Sequence, residues 1–508
     1  MKKKNVNKLL ALGLVSAMTA GMLAGCGNTA STTTDNGAAD TTVTEATDDK
    51  TSTDTAKADN GEVPTLIWWS IGGTPPDDFD KTIAEISDYT EEKIGVRLDV
   101  KIASWADWST KMNNIVNTGE YFDLMFVNNT NYTKFVNLNA LADITDLVQS
   151  ETPELYDFIP EDLWKGATIK EKIYAVPTYK DSSMTQFWML DDTYVQKYGI
   201  DVDSIKDYAT LNDALQTIKE GEGKSVYPMQ LAQGSTFNGF FNNYDGLASG
   251  LQPIGVKYDD ASRKVVCTLE QDDIMDGLDW LHKWYQDGII NPDANVVTDG
   301  GKGSIFGSAQ GWPAAATTWA FNQGIEKYDL TQVFGPLYTT ETIQGSMNAI
   351  SANSKYKTEA LKVLQLMNTD PKFRDMCAYG TEGNYMEYAE DGTVQKLRDD
   401  WNWPSYTQGT FFILSTQADG DPDAWNQVKE QNESATSSTC LGFALDVTNI
   451  QNEVANCNTV WDKYKNDLLT GASDPATAVP ACIEELKAAG LDTVIEEAQK
   501  QVDEFFAN

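Results

Sequence analysis

Apolar side chains recur with two different spacings along this chain, and the spacings predict strands and helices in turn. Residues 65–69 form a short apolar run, residues 79–86 are apolar every three or four positions, and residues 96–102 are apolar at every second position. A second helical pattern covers 108–116, and the nearly continuous apolar run at 122–127 is typical of a buried parallel strand. This order predicts an α/β fold with a mostly parallel sheet.

The rest of the chain continues the alternation less regularly. Further extended segments are predicted at 173–177, 186–190, 333–337 and 347–350. Further helices are predicted at 211–220, 274–286, 358–367 and 491–506. The folded body is therefore expected to begin near residue 64 and to extend to the end of the sequence.

Glycine and asparagine pairs follow two of the predicted strands. Gly72 and Gly73 come soon after the first strand, and Asn128 and Asn129 come directly after the strand at 122–127. Ligands of open α/β sheets bind outside the carboxyl ends of the strands. These four residues are therefore the first candidates for a ligand site.

The first 25 residues have the pattern of an export signal. Residues 1–8 carry four lysines, and residues 9–22 form an apolar segment that is too short to span a membrane. The small residues just before Cys26 resemble the bacterial lipobox. That resemblance implies that residues 1–25 are a lipoprotein signal peptide, that cleavage precedes Cys26, and that this cysteine receives a lipid.

Residues 26–63 comprise the lipidated cysteine and a segment dominated by Thr, Ala and Asp, with no aromatic residue. Such a composition buries too little apolar surface to fold, so the segment is predicted to be a disordered tether. An anchored tether would keep the folded body close to the extracellular face of the cell membrane. The protein is therefore expected to work outside the cell, held there by its lipid.

Charge and residue counts exclude several function classes. The 508 residues include 76 acidic and 38 basic side chains, for a net charge of −38, which argues against binding to nucleic acid. His282 is the single histidine, which excludes sites that need two, and it is predicted to be structural. The acidic run at 419–423 lacks a full calcium loop, so no metal or other cofactor is predicted.

Five cysteines follow Cys26, an odd number that does not make a disulfide framework. Buried free thiols are predicted, with a bridge between Cys440 and Cys457 as the alternative.

Two ordered sets of motifs resemble a known protein family. The lipobox, the tether, LIWW at 66–69, GEYFDL at 119–124 and YAVP at 174–177 resemble the family 1 extracellular solute-binding proteins of ABC importers. The C-terminal part is similar to the characteristic C-terminal module of an LplA-type lipoprotein subgroup. The motifs that carry this second resemblance are YGTEGNY at 379–385, LGFALD at 441–446, LLTGASDP at 468–475, LKAAG at 486–490 and QKQ at 499–501.

The resemblance implies a bilobal periplasmic-binding-protein fold, with two α/β lobes, a hinge and an interlobe ligand cleft. Lobe 1 is expected to contain 64–165 plus 336–375, and lobe 2 to contain 166–335 plus 376–508. In this family the solute is most often an oligosaccharide, which a monomeric receptor hands to the permease subunits of an ABC transporter. The resemblance therefore implies a binding protein without catalytic residues.

Candidate binding residues follow from the chemistry of sugars and from the resemblance. Sugar rings stack on aromatic side chains, and their hydroxyl groups pair with amides and carboxylates. Among 14 tryptophans, the resemblance ranks Trp312 first, in a loop similar to one that offers a stacking tryptophan, and places Trp69 at the cleft mouth. The full set of expected ligand-binding residues is Trp69, Gly72, Gly73, Asn128, Asn129, Trp188, Trp312, Tyr379, Trp401 and Trp403.

Three alternatives remain open from the sequence. A cell-surface glycoside hydrolase would need only two of the many carboxylates. A glycan-binding adhesin would hold long polymers without importing them. A receptor of the same fold could also bind peptides.

Overall fold

The computed structural model describes residues 63–507. The predicted signal peptide (1–25), Cys26 and the tether up to residue 62 lie outside the described residues, as does Asn508. In chain order the strands are β1 (Thr65–Gly72), β2 (Arg97–Ser104), β3 (Leu124–Val127), β4 (Thr168–Ile169), β5 (Lys172–Ile173), β6 (Ala175–Pro177), β7 (Met184–Asp191), β8 (Tyr244–Asp245), β9 (Ile254–Lys257), β10 (Val266–Cys267), β11 (Phe306–Gln310), β12 (Tyr328–Tyr338), β13 (Met347–Ile350), β14 (Met386–Tyr388), β15 (Val394–Lys396) and β16 (Thr436–Ser437).

The helices include every helix that the apolar spacing predicts, with ends that differ by a few residues. In chain order they are α1 (Phe79–Ile94), α2 (Trp108–Thr118), α3 (Tyr132–Asn137), α4 (Thr145–Glu151), α5 (Pro153–Phe158), α6 (Glu161–Ala167), α7 (Asp192–Tyr198), α8 (Tyr208–Glu222), α9 (Asp272–Gln286), α10 (Ala316–Gln323), α11 (Thr340–Gln344), α12 (Lys357–Thr369), α13 (Pro371–Tyr379), α14 (Ala424–Glu433), α15 (Gln451–Leu469), α16 (Pro475–Ala489) and α17 (Leu491–Phe506). Within residues 63–507, none is long and apolar enough to cross a membrane.

Lobe 1 is built on a five-stranded sheet with the order β2-β1-β3-β13-β6. β1 pairs in parallel with β2 and β3, as the strand–helix alternation predicts. All four residues of β3 are buried, because helices cover both faces of the sheet. β13 runs antiparallel between β3 and β6, so the sheet is mixed at this edge.

Lobe 2 is built on a four-stranded sheet with the order β11-β7-β12-β16. Its core contains the buried rings of Trp188, Trp284 and Trp461 and extends into the last three helices. His282 lies on α9, and its Nδ1 is 2.8 Å from the Gly471 carbonyl oxygen, which joins α9 to the turn after α15. The histidine thus has the structural role that the sequence predicts.

Two segments lie in lobe 1 rather than in lobe 2. β6, which begins ten residues after the expected boundary at 165, pairs with β13 in the sheet of lobe 1. Trp403 is buried in the core of lobe 1, with its ring centroid 5.2 Å from that of Trp68. Both differences arise from contacts between segments that are far apart in the sequence, which local apolar spacing does not reveal.

The 401–410 segment is held in lobe 1 by the buried guanidinium of Arg374. This side chain donates to the carbonyl oxygens of Thr410 (2.7 Å), Ser405 (2.9 Å) and Gly409 (3.3 Å) and to Oε1 of Gln408 (2.7 Å). Burial lowers the pKa of Arg374 to about 10. A buried cation that satisfies four acceptors gives this irregular segment a defined shape.

Residues 439–507, called here the C-terminal module, contact both lobes. Helices α15, α16 and α17 complete the core of lobe 2. Leu441, at the start of the module, is buried in the core of lobe 1. The amide of Gly442 donates to Oγ1 of Thr340 at 2.9 Å, which ties the module to α11.

The five cysteines of the described chain are buried and free, so Cys440 and Cys457 are not bridged. Burial raises the pKa of both thiols, to about 12 for Cys440 and about 11 for Cys457. The prediction of buried free thiols is confirmed for this part of the chain.

Candidate functional site

A cavity of 530 Å³ lies between lobe 2 and α11. α11 belongs with lobe 1, because Nε2 of Gln344 donates to the Gly166 carbonyl oxygen of α6 at 3.0 Å. The cavity walls combine apolar side chains with amide, hydroxyl and carboxylate groups, and their polar side chains include Asn242, Asp245, Ser249, Gln252, Gln310, Thr339, Glu341 and Thr342. Among the described residues that line it, two are acidic and none is basic.

A second polar cavity, of 410 Å³, continues from the first. The two share Phe241, Asn242 and Gln252 as lining residues. The two cavities are therefore neighbours, and each is large enough for a sugar ring.

Glu341 reaches from α11 towards both sides of the cavity. Its Oε1 accepts a hydrogen bond from Nδ2 of Asn129 at 2.9 Å, and its Oε2 would lie 3.6 Å from a Cβ atom placed on Gly246. Desolvation by the surrounding protein raises the pKa of Glu341, and the negative charge of Asp245 raises it further. The Glu341 carboxylate remains accessible to water within the cavity. It therefore joins the loop after β3 to the opposite wall in lobe 2.

Asp245, on that opposite wall, is buried together with its carboxylate. Its Oδ1 accepts the amide of Leu247 at 2.9 Å, whereas no described group completes a hydrogen bond to Oδ2. Burial raises the pKa of Asp245, and the nearby Ser438 hydroxyl and the Leu247 amide partly oppose this shift. The cavity thus carries two carboxyl groups that are harder to ionise than usual.

The raised pKa of Asp245 has a consequence for stability. Folding raises this pKa above its ordinary value of 3.8, so just above pH 4 the folded chain holds a proton that the unfolded chain releases. The contribution of Asp245 to stability is therefore greatest below pH 4 and falls as the pH rises through the raised pKa. Asp245→Asn keeps an acceptor for the Leu247 amide but cannot ionise. Its Tm, measured by circular dichroism from pH 4 to 8, is expected to fall less than that of the wild type.

Asp207 supplies the control for this experiment. Its pKa is lowered by hydrogen bonds from Thr210 at the start of α8, so it titrates below the pH range used. Asp207→Asn is expected to leave the slope of Tm against pH unchanged. Parallel curves for the wild type and Asp245→Asn would contradict the assignment to Asp245.

An exposed pair of aromatic side chains lies on lobe 1. Trp105 follows β2 and Tyr406 lies in the 401–410 segment; their rings stack at 6.5 Å with an interplanar angle of 19°. Trp105 is 52% exposed and Tyr406 is 40% exposed, which is unusual for such large rings. The Tyr406 carbonyl accepts from Oγ of Ser346, and the preceding Gly345 lines the 530 Å³ cavity. The backbone of Tyr406 is therefore bonded to the residue that follows a lining residue, whereas neither ring is among the lining residues of the cavity.

The two glycines predicted after β1 face another segment of the protein. A Cβ atom on Gly72 would lie 2.3 Å from the Asn402 carbonyl oxygen, and the Gly73 amide donates to that same oxygen at 3.1 Å. Nδ2 of Asn402 also donates to the Thr74 carbonyl at 2.8 Å. The glycines therefore allow the 401–410 segment to close over the end of β1.

The asparagine pair after β3 divides between two roles. Oδ1 of Asn128 accepts the amide and the hydroxyl of Thr130, at 3.1 and 2.7 Å, and shapes the turn. Asn129 is the expected binding residue that reaches the cavity, through its bond to Glu341.

Four of the six expected aromatic residues are buried in the lobes. Trp188 is in the core of lobe 2, and Trp403 is in the core of lobe 1, where its Nε1 donates to Oγ of Ser70. Tyr379 donates to the Ser415 carbonyl at 2.8 Å. Trp69 is 8% exposed, with Nζ of Lys111 above its ring at 4.4 Å.

The other two expected aromatic residues are half-buried. Trp401 stacks on Phe79 at 5.2 Å and donates to the Cys377 carbonyl. Trp312 packs against Phe411 and Trp425, and its buried Nε1 has no partner among the described residues. Neither lines the two cavities described above.

Several residues of the site were not among the candidates from the sequence. Tyr406 follows the aromatic segment 401–404, so an exposed ring could have been sought there. Asp245, Glu341 and Gln252 carry no local signal that separates them from the other acidic and amide side chains.

Known proteins are similar to this chain in sequence and in architecture. A family model described as bacterial extracellular solute-binding protein matches residues 84–396, more than half of the chain, and a model described as a domain of unknown function (DUF3502) matches residues 439–507. A carbohydrate ABC transporter substrate-binding protein of Streptococcus pneumoniae is 29% identical over 466 residues, which cover 89% of this chain and 93% of that protein.

Solved structures of one protein give a similar picture. The N-glycan transport solute binding protein (NgtS) from Streptococcus pneumoniae superposes with a TM-score of 0.78 at 28% identity, covering 88% of this chain and 99% of that one. Its complex with Man1GlcNAc gives 0.70 at 27% identity, covering 88% and 100%, and its complex with Man5GlcNAc gives 0.67 at 28% identity, covering 88% and 99%. The matched family model and the two-lobed fold agree, and the chain belongs to the bacterial extracellular solute-binding proteins.

Proposed function

We propose that this protein captures an oligosaccharide in the cavity between its lobes and delivers it to the permease subunits of an ABC importer. The observation that carries the proposal is the cavity of 530 Å³ with its amide, hydroxyl and carboxylate side chains, and the exposed pair of Trp105 and Tyr406 offers a stacking surface on lobe 1. Sugars need both kinds of surface, since their hydroxyl groups pair with amides and carboxylates and their C–H faces stack on aromatic rings.

The charges of the cavity favour a neutral sugar. The exposed Glu341 can accept hydrogen bonds from hydroxyl groups, and no described lining residue offers a cation to a uronate or another acidic sugar. The continuation into the cavity of 410 Å³ favours a ligand of several sugar units. We therefore expect neutral oligosaccharides to bind and acidic ones to be rejected.

The relatives support this function and a closing movement. The relative from Streptococcus pneumoniae is named for carbohydrate transport, and NgtS has been solved with two mannose-containing glycans. The TM-score falls from 0.78 to 0.70 and 0.67 for those complexes, a spread that a change in the angle between lobes would produce. The receptor is proposed to close on its ligand as a monomer and to bind without catalysing a reaction.

The lipobox supports a location on the extracellular face of the cell membrane. Acylated Cys26 would anchor the chain, and residues 27–62 would give the lobes reach towards the permease. The expected oligosaccharide ligand is then captured outside the cell and passed inward.

A binding screen tests the proposal. Tm is measured for the protein with neutral oligosaccharides that include Man5GlcNAc, with acidic oligosaccharides and with peptides, and the mixtures are then examined by mass spectrometry. A ligand that binds the folded state raises Tm by mass action, and the neutral glycans alone are expected to do so. A rise with peptides alone would contradict the proposal, and so would cleavage of a glycan, which a glycoside hydrolase would produce.

A further inference from the structure

The C-terminal module matches a domain of unknown function, yet it contacts both walls of the ligand cavity. On the lobe 1 side, Gly442 bonds to Thr340, which lies between the lining residues Thr339 and Glu341. On the lobe 2 side, the module touches residues 245–252, called here the cavity loop. The module therefore contacts residues on both sides of the cavity, in addition to completing the core of lobe 2.

The cavity loop has a backbone that needs support from outside. Leu247 and Ala248 have φ values of 57° and 50°, in the left-handed region that such side chains rarely adopt. Strained residues of this kind persist only where the surroundings hold them, and they often lie at functional sites. The amide of Leu445, in the C-terminal module, donates to the Leu247 carbonyl at 2.9 Å and holds the strained pair in place.

Trp461 of α15 holds the other end of the cavity loop. Its Nε1 donates to Oε1 of Gln252 at 2.8 Å, and its ring meets that of Phe241 edge-on at 6.0 Å. Gln252 and Phe241 both line both cavities. The indole is 2% exposed, so the bond is anchored in the core of lobe 2.

The chemistry of the indole determines which way the Gln252 amide faces. An indole nitrogen can only donate, so it selects the oxygen of the carboxamide and leaves the NH₂ group on the opposite side. Gln252 is exposed, and within residues 63–507 the hydrogen bond of its side chain is the one that Oε1 accepts from Trp461. The NH₂ group is therefore available to donate to an acceptor in the cavity.

We infer that the C-terminal module positions the cavity loop for ligand binding, and that Trp461 turns the Gln252 amide so that its NH₂ group donates to a hydroxyl or ether oxygen of the ligand. Trp461 is a positioning residue, because it acts on the ligand through Gln252. The ligand contact rests on the proposed saccharide function, whereas the support of the loop does not.

A matched pair of variants tests the inference in the complete protein. Trp461→Phe removes the indole donor and keeps an aromatic ring in the core. Trp284→Phe is the control, because Trp284 is fully buried in the same core and its Nε1 donates to Oδ1 of Asn212, away from the cavity loop. Both lose one hydrogen bond of a buried indole, so similar shifts in Tm are expected.

Hydrogen exchange without ligand tests the positioning role directly. The amides of Leu247, Ser249 and Leu251 are hydrogen-bonded within the loop and should exchange slowly. We expect them to exchange about tenfold faster in Trp461→Phe and at the wild-type rate in Trp284→Phe. Equal exchange in the two variants overturns the positioning role, whether or not any sugar binds.

Affinity for Man5GlcNAc, measured by titration calorimetry, tests the route through Gln252. Trp461→Phe and Gln252→Met are each expected to weaken binding about fivefold to tenfold, and the double variant no further than Gln252→Met alone. Additive losses overturn the route through Gln252. If Trp461→Phe does not fold, unchanged affinity in Gln252→Met overturns it instead. Faster loop exchange in a protein that binds no glycan keeps the positioning role and rejects the saccharide function.

Discussion

Replacing Arg374 by methionine is expected to lower the free energy of unfolding by about 3 kcal/mol. The substitution keeps a long apolar stem but leaves the acceptors of Ser405, Gln408, Gly409 and Thr410 without their donor in a buried site. Burying a cation is itself unfavourable, as the lowered pKa of Arg374 indicates, so the removal of the cation offsets part of this loss. Denaturation by urea, followed by circular dichroism, measures the change.

Arg97→Met is the control for a surface arginine. Arg97 pairs with Asp88 and Glu91 at 2.8 and 2.5 Å, but the three side chains are open to water. Its loss is expected to cost less than about 1 kcal/mol. Equal losses for the two variants would show that the network around Arg374 contributes no more than an ordinary surface pair.

Trp105→Ala is expected to weaken binding of a neutral oligosaccharide by about tenfold to thirtyfold, equivalent to about 1.4–2 kcal/mol. The ring is 52% exposed in the described chain, so its removal takes little from the core and should change Tm only slightly. Its stacking surface and that of Tyr406 would instead be covered by sugar. Titration calorimetry with Man5GlcNAc gives the affinity.

Three further variants separate stacking from other effects. Tyr406→Phe keeps the second ring and should bind nearly as well as the wild type, whereas Tyr406→Ala should resemble Trp105→Ala. Phe321 on α10 is 81% exposed and is not part of the Trp105–Tyr406 pair, so Phe321→Ala controls for the loss of an exposed ring. Equal affinities for Trp105→Ala and the wild type would place the sugar elsewhere.

Local periodicity was sufficient for the first half of lobe 1. The apolar spacings at 65–69, 79–86 and 96–102 led to β1, α1 and β2, because each element there buries one face against its neighbours in sequence. The two-lobed fold itself followed from ordered motifs rather than from spacing.

The site depends on contacts that no local pattern contains. Gly72 is a ligand-site candidate in the sequence, but its missing side chain makes room for Asn402, 330 residues further along. Trp403 reads as a stacking residue in a polar loop, but it is buried on Trp68. Trp105 and Tyr406 stack only in the folded protein, where Arg374 holds the segment that contains Tyr406. Long-range packing of this kind decides which aromatic rings remain exposed.

The place of β13 in the sheet of lobe 1 also governs when the protein can fold. β13 begins at residue 347 and lies between β3 and β6. The sheet of lobe 1 therefore cannot be completed until about two thirds of the chain has been synthesised. Lobe 2 in turn lacks part of its core until α17 has been synthesised. A chain of this topology therefore cannot complete either lobe until most of it has been synthesised, and each lobe must form its core from segments that are far apart in the sequence.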